Sequence, residues 1–291
     1  MTMSQRSAPY SLSNLLQPSF ITRPHWTLCG LLVLLNALLL QSCASPGERV
    51  DKIARAQQLE KKLVDTNDFQ ITAYIAGNIG FADKVHVYIE GDGSPWINRT
   101  LPAADPTPRN PLMLRLMNYD TGPRIYIGRP CYLRTNDDNR CTKDMWTDAR
   151  YSELVVKNMI QAINSLTAPE QRLTLLGHSG GGTLAAIIAS RIKKVDTIIT
   201  IAANLDTDAW TNRHHYRPLI NSINPINLPP LPASIKQIHI AGSKDKIISQ
   251  ADIRRFVEKQ PNARFLLYKK LDHSCCWENI WPEIYRRFLQ Q

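Results

Sequence analysis

One stretch of this chain combines residue types and spacing suited to nucleophilic chemistry: Gly177-His178-Ser179-Gly180-Gly181. It follows the apolar run LTLL (173–176) and precedes TLAAIIA (183–189), which reads as a helix of small and aliphatic residues. A G-x-S-x-G pattern alone says little, because glycine-rich turns are common. Between a strand and a helix it says much more. Small residues at 177 and 181 allow a sharp, strained turn that lifts the serine hydroxyl clear of the sheet. The next amide and the helix N-terminus then face any negative charge that develops there. The plainer alternative is a turn in which Ser179 only caps the helix.

A serine hydroxyl is a weak nucleophile by itself. A histidine must take its proton, and a carboxylate must orient that histidine. Seven histidines compete. His25 lies in an N-terminal leader. His86 and His239 stand inside strand-like apolar runs and read as core or sheet-surface residues. His178 occupies the variable position of the motif, and His214 and His215 lie in a proline-rich connection. His273 follows the last apolar strand-like run and precedes the closing helix.

Over about residues 67–291 these features resemble the α/β-hydrolase family. The resemblance implies an α/β-hydrolase fold, with a mostly parallel central sheet, helices on both faces and a short lid insertion at 205–235. It implies a triad in the chain order serine, acid, histidine. Ser179 is then the nucleophile and His273 the base. Asp245, in GSKDKII, is the acid, with Asp206 and Asp208 as alternatives one strand earlier. It also implies an oxyanion hole made of the Gly180 amide and an amide from the loop after an earlier strand. This chain has Glu90-Gly91-Asp92-Gly93 there, so Asp92 is the expected donor and Gly93 the second choice. Glu90 departs from the His-Gly that often stands at that place.

Arg129, Tyr132 and Asp92 crowd strand ends and read equally well as substrate contacts or as ordinary salt bridging. Gly93 and His178 join them as possible substrate contacts. Trp96 and Trp277 either line an apolar pocket or pack. Neither a cofactor nor a metal is implied.

The elements that must position these residues follow from the pattern. Strand-like runs alternate with helical spacing from residue 123 onward, which predicts a parallel sheet covered on both faces. The strands are near-continuous apolar runs, as burial on two faces requires. Residues 49–64 read as a charged amphipathic helix, 69–76 as a strand, 84–93 as a strand ending in the glycine-rich loop, 98–111 as loop and 146–166 as a helix.

Composition bounds the rest. With 43% hydrophobic and 21% charged residues, the 291-residue chain is an ordinary globular sequence. The net charge of +10 is spread along the chain without a basic block, which argues against nucleic-acid binding. Residues 1–47 contain no acidic residue, and Arg6 and Arg23 precede an apolar run from Leu28 to Leu40 that suits a signal-peptide core. Leu40-Gln41-Ser42-Cys43 resembles a bacterial lipobox. That resemblance implies a leader over 1–42, lipid on Cys43, a tether and helix over 43–66 and a catalytic domain over 67–291. Ala44 after the cysteine implies the outer membrane, facing the periplasm; plain secretion is the alternative. Cys131 and Cys141 close a short polar loop and are expected to pair, while Cys275 and Cys276 are adjacent and leave their pairing open. No spacing of metal-ligand type accompanies them.

The sequence therefore predicts a serine hydrolase that cleaves a small acyl substrate, an ester or thioester, through an acyl-enzyme. A peptidase or amidase on the same fold is the alternative. A non-catalytic envelope lipoprotein on a hydrolase scaffold is the rival from another class.

Overall fold

A computed structural model of the protein describes residues 44–135 and 138–290. The expected leader and Cys43 lie outside the described residues. From Ala44 onward the chain forms one compact unit.

Its centre is an eight-stranded sheet. The strands are β1 (Glu60–Asp65), β2 (Gln70–Ala76), β3 (Lys84–Ile89), β4 (Arg124–Ile127), β5 (Arg172–His178), β6 (Val195–Ile201), β7 (Lys236–Gly242) and β8 (Ala263–Tyr268), in the spatial order β1-β2-β4-β3-β5-β6-β7-β8. β2 runs antiparallel to both its neighbours, and every pairing from β4 across to β8 is parallel. The helices are α1 (Pro46–Ala56), α2 (Leu112–Met117), α3 (Glu153–Leu166), α4 (Gly180–Ala189), α5 (Thr207–His214), α6 (Gln250–Val257) and α7 (Trp277–Phe288). This is the expected α/β-hydrolase fold.

The strand order explains where a site must form. After β3 the chain crosses outward to β4, and after β5 it crosses the other way to β6. β3 and β5 are neighbours, so their carboxyl ends diverge into a crevice at the topological switch point. Ile89 pairs with Gly177, which places the 90–93 loop beside the Ser179 turn. Helix α4 is buried along its whole length, and β5 is buried from Leu173 to His178. An element buried on all sides carries no polar face, which is why 172–189 is nearly free of charge.

Three elements differ from expectation. The expected helix over 49–64 ends at Ala56, and 60–65 forms the edge strand β1, paired with β2 along its full length. The segment thought to be a tether is therefore part of the sheet, because pairing satisfies its backbone while its Lys and Glu side chains stay in water. The expected helix over 146–166 begins only at Glu153, where the Ser152 hydroxyl caps the first turn by accepting from Val155 N–H. This leaves Arg150 and Tyr151 in a buried turn. Finally, a short helix, Leu112–Met117, follows the 98–111 loop. Its five buried apolar residues cover β3 and β4.

Candidate active site

Ser179 sits between β5 and α4 with φ 52° and ψ −123°, in the left-handed half of backbone space that a non-glycine residue adopts only under constraint. The constraint is visible: its N–H donates to Ile201 O at 2.9 Å, and its carbonyl accepts from Gly182 N–H at 3.0 Å. The turn closes against the neighbouring strand because residue 181 lacks a side chain. A Cβ there would stand 2.2 Å from the carbonyl oxygen of Ile89.

From the other side, β7 and β8 bring two more residues to the serine. His273 Nε2 lies 3.1 Å from Ser179 Oγ, and His273 Nδ1 lies 2.9 Å from Asp245 Oδ2. The Asp245 carboxylate accepts on its other oxygen from Ile247 and Ile248 N–H, at 2.8 and 2.9 Å. A carboxylate fixed in this way requires Nδ1–H to donate to it, leaving the Nε2 lone pair toward the serine hydroxyl. The geometry thus brings together Ser179, His273 and Asp245, the three residues expected to form a proton-transfer chain. Asp206 instead caps α5 and pairs with Arg255, and the Asp272 carboxylate accepts from the backbone of Ser274 and Cys275.

Two backbone amides flank the serine without a protein acceptor among the described residues: Gly180 N–H and Asp92 N–H. Gly93 N–H is also unengaged, so the second choice for the donor keeps its place. The loop bearing Asp92 is anchored from below. Its carboxylate accepts from Arg129 at 2.8 Å, from Arg150 at 3.0 Å and from the Tyr151 hydroxyl at 2.6 Å. Its carbonyl accepts from the Tyr132 hydroxyl at 3.1 Å, and Arg129 also donates to Glu90 O at 2.9 Å. Burial pushes the Asp92 carboxyl up, but the two guanidinium groups and the tyrosine outweigh it and hold its pKa down at about 2. Gly180 is the only residue that fits above this carboxylate, since a Cβ at 180 would fall 1.8 Å from Asp92 Oδ1.

Arg129 and Tyr132, read from the sequence as possible substrate contacts, do not line the cavity. They lie behind the loop and hold Asp92 and Glu90. Glu90 itself is buried and accepts from Gly91 and Met113 N–H at 3.1 and 2.9 Å. Burial raises its pKa to about 7, against the opposing pull of those two amides and of Arg115 and Arg129.

His178, also expected as a substrate contact, does reach the cavity wall. Its Nε2–H donates to the carbonyl of His273 at 2.8 Å, and Trp277 Nε1–H donates to that carbonyl at 3.3 Å. Burial, with His273 beside it, lowers the His178 pKa to about 3, so the ring is neutral. Trp277 is fully buried and packs, whereas Trp96 lines the cavity. His86 is bonded to Asp120 at 2.6 Å and His239 to Thr200 at 2.8 Å, both in the interior.

The cavity above Ser179 has a volume of about 730 Å³. The 90–99 loop, the 215–219 segment after α5 and the 273–274 turn enclose it. Space of this size accommodates a small organic substrate. The cysteines join in the expected pair Cys131–Cys141, and the neighbours Cys275 and Cys276 also join. No cluster able to hold a metal ion occurs among the described residues.

Sequence reasoning missed Arg150 and Tyr151, and it missed the Trp277 contact to His273. Helical spacing across 146–166 hid the first two. No local signal marks them, because their role depends on a turn set by packing.

No protein-family model matches the chain, and no curated protein matches it in sequence. Solved structures do match in fold. A membrane phospholipase A described as a bacterial virulence factor aligns at TM-score 0.59 and 16% identity, covering 91% of this chain and 97% of that one. An esterase of Pyrococcus furiosus aligns at TM-score 0.58 and 16% identity, covering 81% and 92%. An α/β serine hydrolase homologue from Coxiella burnetii aligns at TM-score 0.52 and 12% identity, covering 79% and 96%. The chain has the α/β-hydrolase fold that these proteins share. At such identities the likeness concerns the fold, and function has to be argued from the site.

Proposed function

We propose that the chain is a serine hydrolase that cleaves a carboxylic ester or thioester through an acyl-enzyme. The observation that carries this reading is the line from Asp245 through His273 to Ser179 Oγ, with two unengaged amides beside the serine. His273 takes the hydroxyl proton as Ser179 Oγ bonds to the carbonyl carbon. The Gly180 and Asp92 amides stabilise the oxyanion. The carbonyl–oxygen (or –sulfur) bond then breaks, and His273 returns the proton to the leaving group. Water, deprotonated by the same histidine, releases the acid and regenerates the serine. The esterase, phospholipase and hydrolase structures of the same fold support this class.

The test is covalent labelling. The 44–291 body, expressed in an oxidising compartment, is treated with a fluorophosphonate and its intact mass read beside Ser179→Ala and His273→Ala. A single adduct on the wild type, absent from Ser179→Ala and slowed at least 10³-fold in His273→Ala, is the expected result. A well-folded wild type that takes no adduct removes the catalytic reading.

The reading extends to location. The basic leader, its apolar run and Cys43 support a lipid-anchored protein of the bacterial envelope, on the periplasmic side of the outer membrane. Radiolabelled palmitate incorporated by the full chain and lost in Cys43→Ala is the expected outcome; equal labelling of both would remove the anchor.

A further inference from the structure

Five arginines reach the wall of the cavity above Ser179. Arg115 is engaged by Glu278 and Asn110, and Arg150 by Asp92. Arg99, Arg109 and Arg217 are exposed and have no hydrogen-bond or ion-pair partner among the described residues. Against these three stand two carboxylates on the wall with no Lys or Arg partner among the described residues: Asp148, and Glu90, which is buried and accepts from two backbone amides. The Asp92 carboxylate is already shared by Arg129 and Arg150.

The three free guanidinium groups come from two connections: Arg99 and Arg109, ten residues apart on the loop that joins β3 to α2, and Arg217 on the stretch after α5. Ordinary solvated charge does not require two connections far apart in sequence to bring three unpaired guanidinium groups to one opening. Like charges so gathered repel, and they focus a positive field into the crevice that holds the serine. The same wall is apolar elsewhere, with Trp96, Trp210, Leu112 and Leu219. Ile97 and Tyr216, exposed by 67% and 44%, lie two residues before Arg99 and next to Arg217. A ligand matching this wall is an amphiphile with an acyl part and an anionic part.

We infer that the site takes acyl esters of phosphate-bearing alcohols, with the phosphate held at the mouth by Arg99, Arg109 and Arg217 and the acyl group against the tryptophans. A guanidinium fork offers paired donors to two oxygens. Three such forks exceed what one carboxylate can accept and suit the larger oxygen set of a phosphate. The phosphate takes no part in bond-making: the ester bond breaks, and the phosphate leaves with the alcohol. This inference rests on the ester-hydrolase reading above.

The test compares 1-butyryl-glycerol 3-phosphate with 1-butyryl-glycerol, both monomeric. At low salt kcat/KM favours the phosphorylated ester about 10-fold or more, and the preference shrinks as salt is added. In Arg99→Gln/Arg109→Gln/Arg217→Gln the ratio falls to about one, and the triple Arg→Lys variant retains part of it, since lysine supplies charge without the fork. Thermal midpoints check that the variants fold. Vesicles of phosphatidylglycerol and of phosphatidylcholine distinguish the source of the phosphate. Fatty acid released from the anionic vesicles in preference identifies a lipid headgroup; preference confined to the monomers identifies a soluble phosphoester. A wild-type ratio at or below one, or a ratio untouched by the Arg→Gln substitutions, overturns the inference. So does a protein that labels at Ser179 and turns over neither ester. A protein that does not label at all fails the parent reading, and the two failures are thereby distinct.

Discussion

On one flank of Ser179 the 90–93 loop rests on Asp92, whose carboxylate is bonded to two arginines and a tyrosine, with the Arg129 and Arg150 side chains only 5% exposed. On the other flank His273 stands on a surface turn with its side chain 18% exposed, held by one carboxylate and by two donors to its carbonyl. The flank that presents amides is buried, charged and bound from several segments. The flank that moves a proton is tied by fewer bonds and by no buried cation, although its Asp245 side chain is itself only 2% exposed. Fixed dipoles stabilise a transition state only if they do not reorganise, whereas a base must exchange its proton between serine, leaving group and water. The same kind of residue, an aspartate, therefore does opposite work on the two sides. Asp92 holds structure, and Asp245 orients chemistry.

Exchanging the two carboxylates tests this contrast most severely. Asp245→Asn should lower kcat about 10⁴-fold, because the amide favours the wrong imidazole tautomer, with a change of less than about 1 kcal/mol in unfolding free energy. Asp92→Ala should instead cost about 3–5 kcal/mol of stability, since it leaves Arg129 and Arg150 buried without a counter-charge. Urea denaturation and steady-state kinetics on both variants decide the matter. An Asp92→Ala protein as stable as the wild type would dissolve the distinction.

Glu90 sharpens the comparison through pH. Its folded pKa, about 7, lies above the ordinary carboxylate range, so between that range and pH 7 the folded protein binds a proton that the unfolded chain has released. Stability from this group is full at acidic pH, falls as pH rises toward 7, and is flat beyond. Glu90→Gln removes that slope. The stability difference between wild type and Glu90→Gln should shift by about 3 kcal/mol from pH 4.5 to pH 7.5, with the wild type losing ground. His178 acts with opposite sign: its folded pKa of about 3 means that stability is lost as pH falls below the ordinary histidine value. His178 Nδ1 lies 4.0 Å from Glu90 Oε1, so the same comparison made in a His178→Phe background isolates the Glu90 contribution. Parallel curves for wild type and Glu90→Gln would show that Glu90 ionises normally.

How much of this was legible in sequence differs between the flanks in the same way. Ser179, Asp245 and His273 each follow a strand of the parallel sheet, so the strand–turn pattern at Ser179, together with the chain order that the α/β-hydrolase resemblance implies, pointed to all three. Gly180 and Asp92 came from the same logic. The anchor beneath Asp92 did not, because Arg129, Tyr132, Arg150 and Tyr151 meet only after β4 and the 147–152 turn pack against the loop. Periodicity extended a helix through Trp146–Ser152, and nothing in the local sequence says that packing stops it at Ser152. The edge strand β1 was misread for a related reason: EKKLVD has a charged composition that suits a helix face or a solvated edge, and only its partner β2 chooses.

The smallest expected effect concerns His178, where a substrate contact and a positioning residue predict different kinetics. Its ring reaches the cavity wall, yet its one strong bond goes to the carbonyl of His273. If that bond fixes the turn, His178→Phe leaves Trp277 as the sole donor to the carbonyl, and His273 spends less time aligned with Ser179. A net hydrogen bond of about 1–1.5 kcal/mol corresponds to a loss in kcat of about 5- to 10-fold, with KM within about twofold. Trp277→Phe should do the same, and the double variant should lose more than the sum of the two effects, because the carbonyl then has no donor. A change carried by KM alone would instead make His178 a substrate contact, and the His273 flank would be held by Asp245 and Trp277 only.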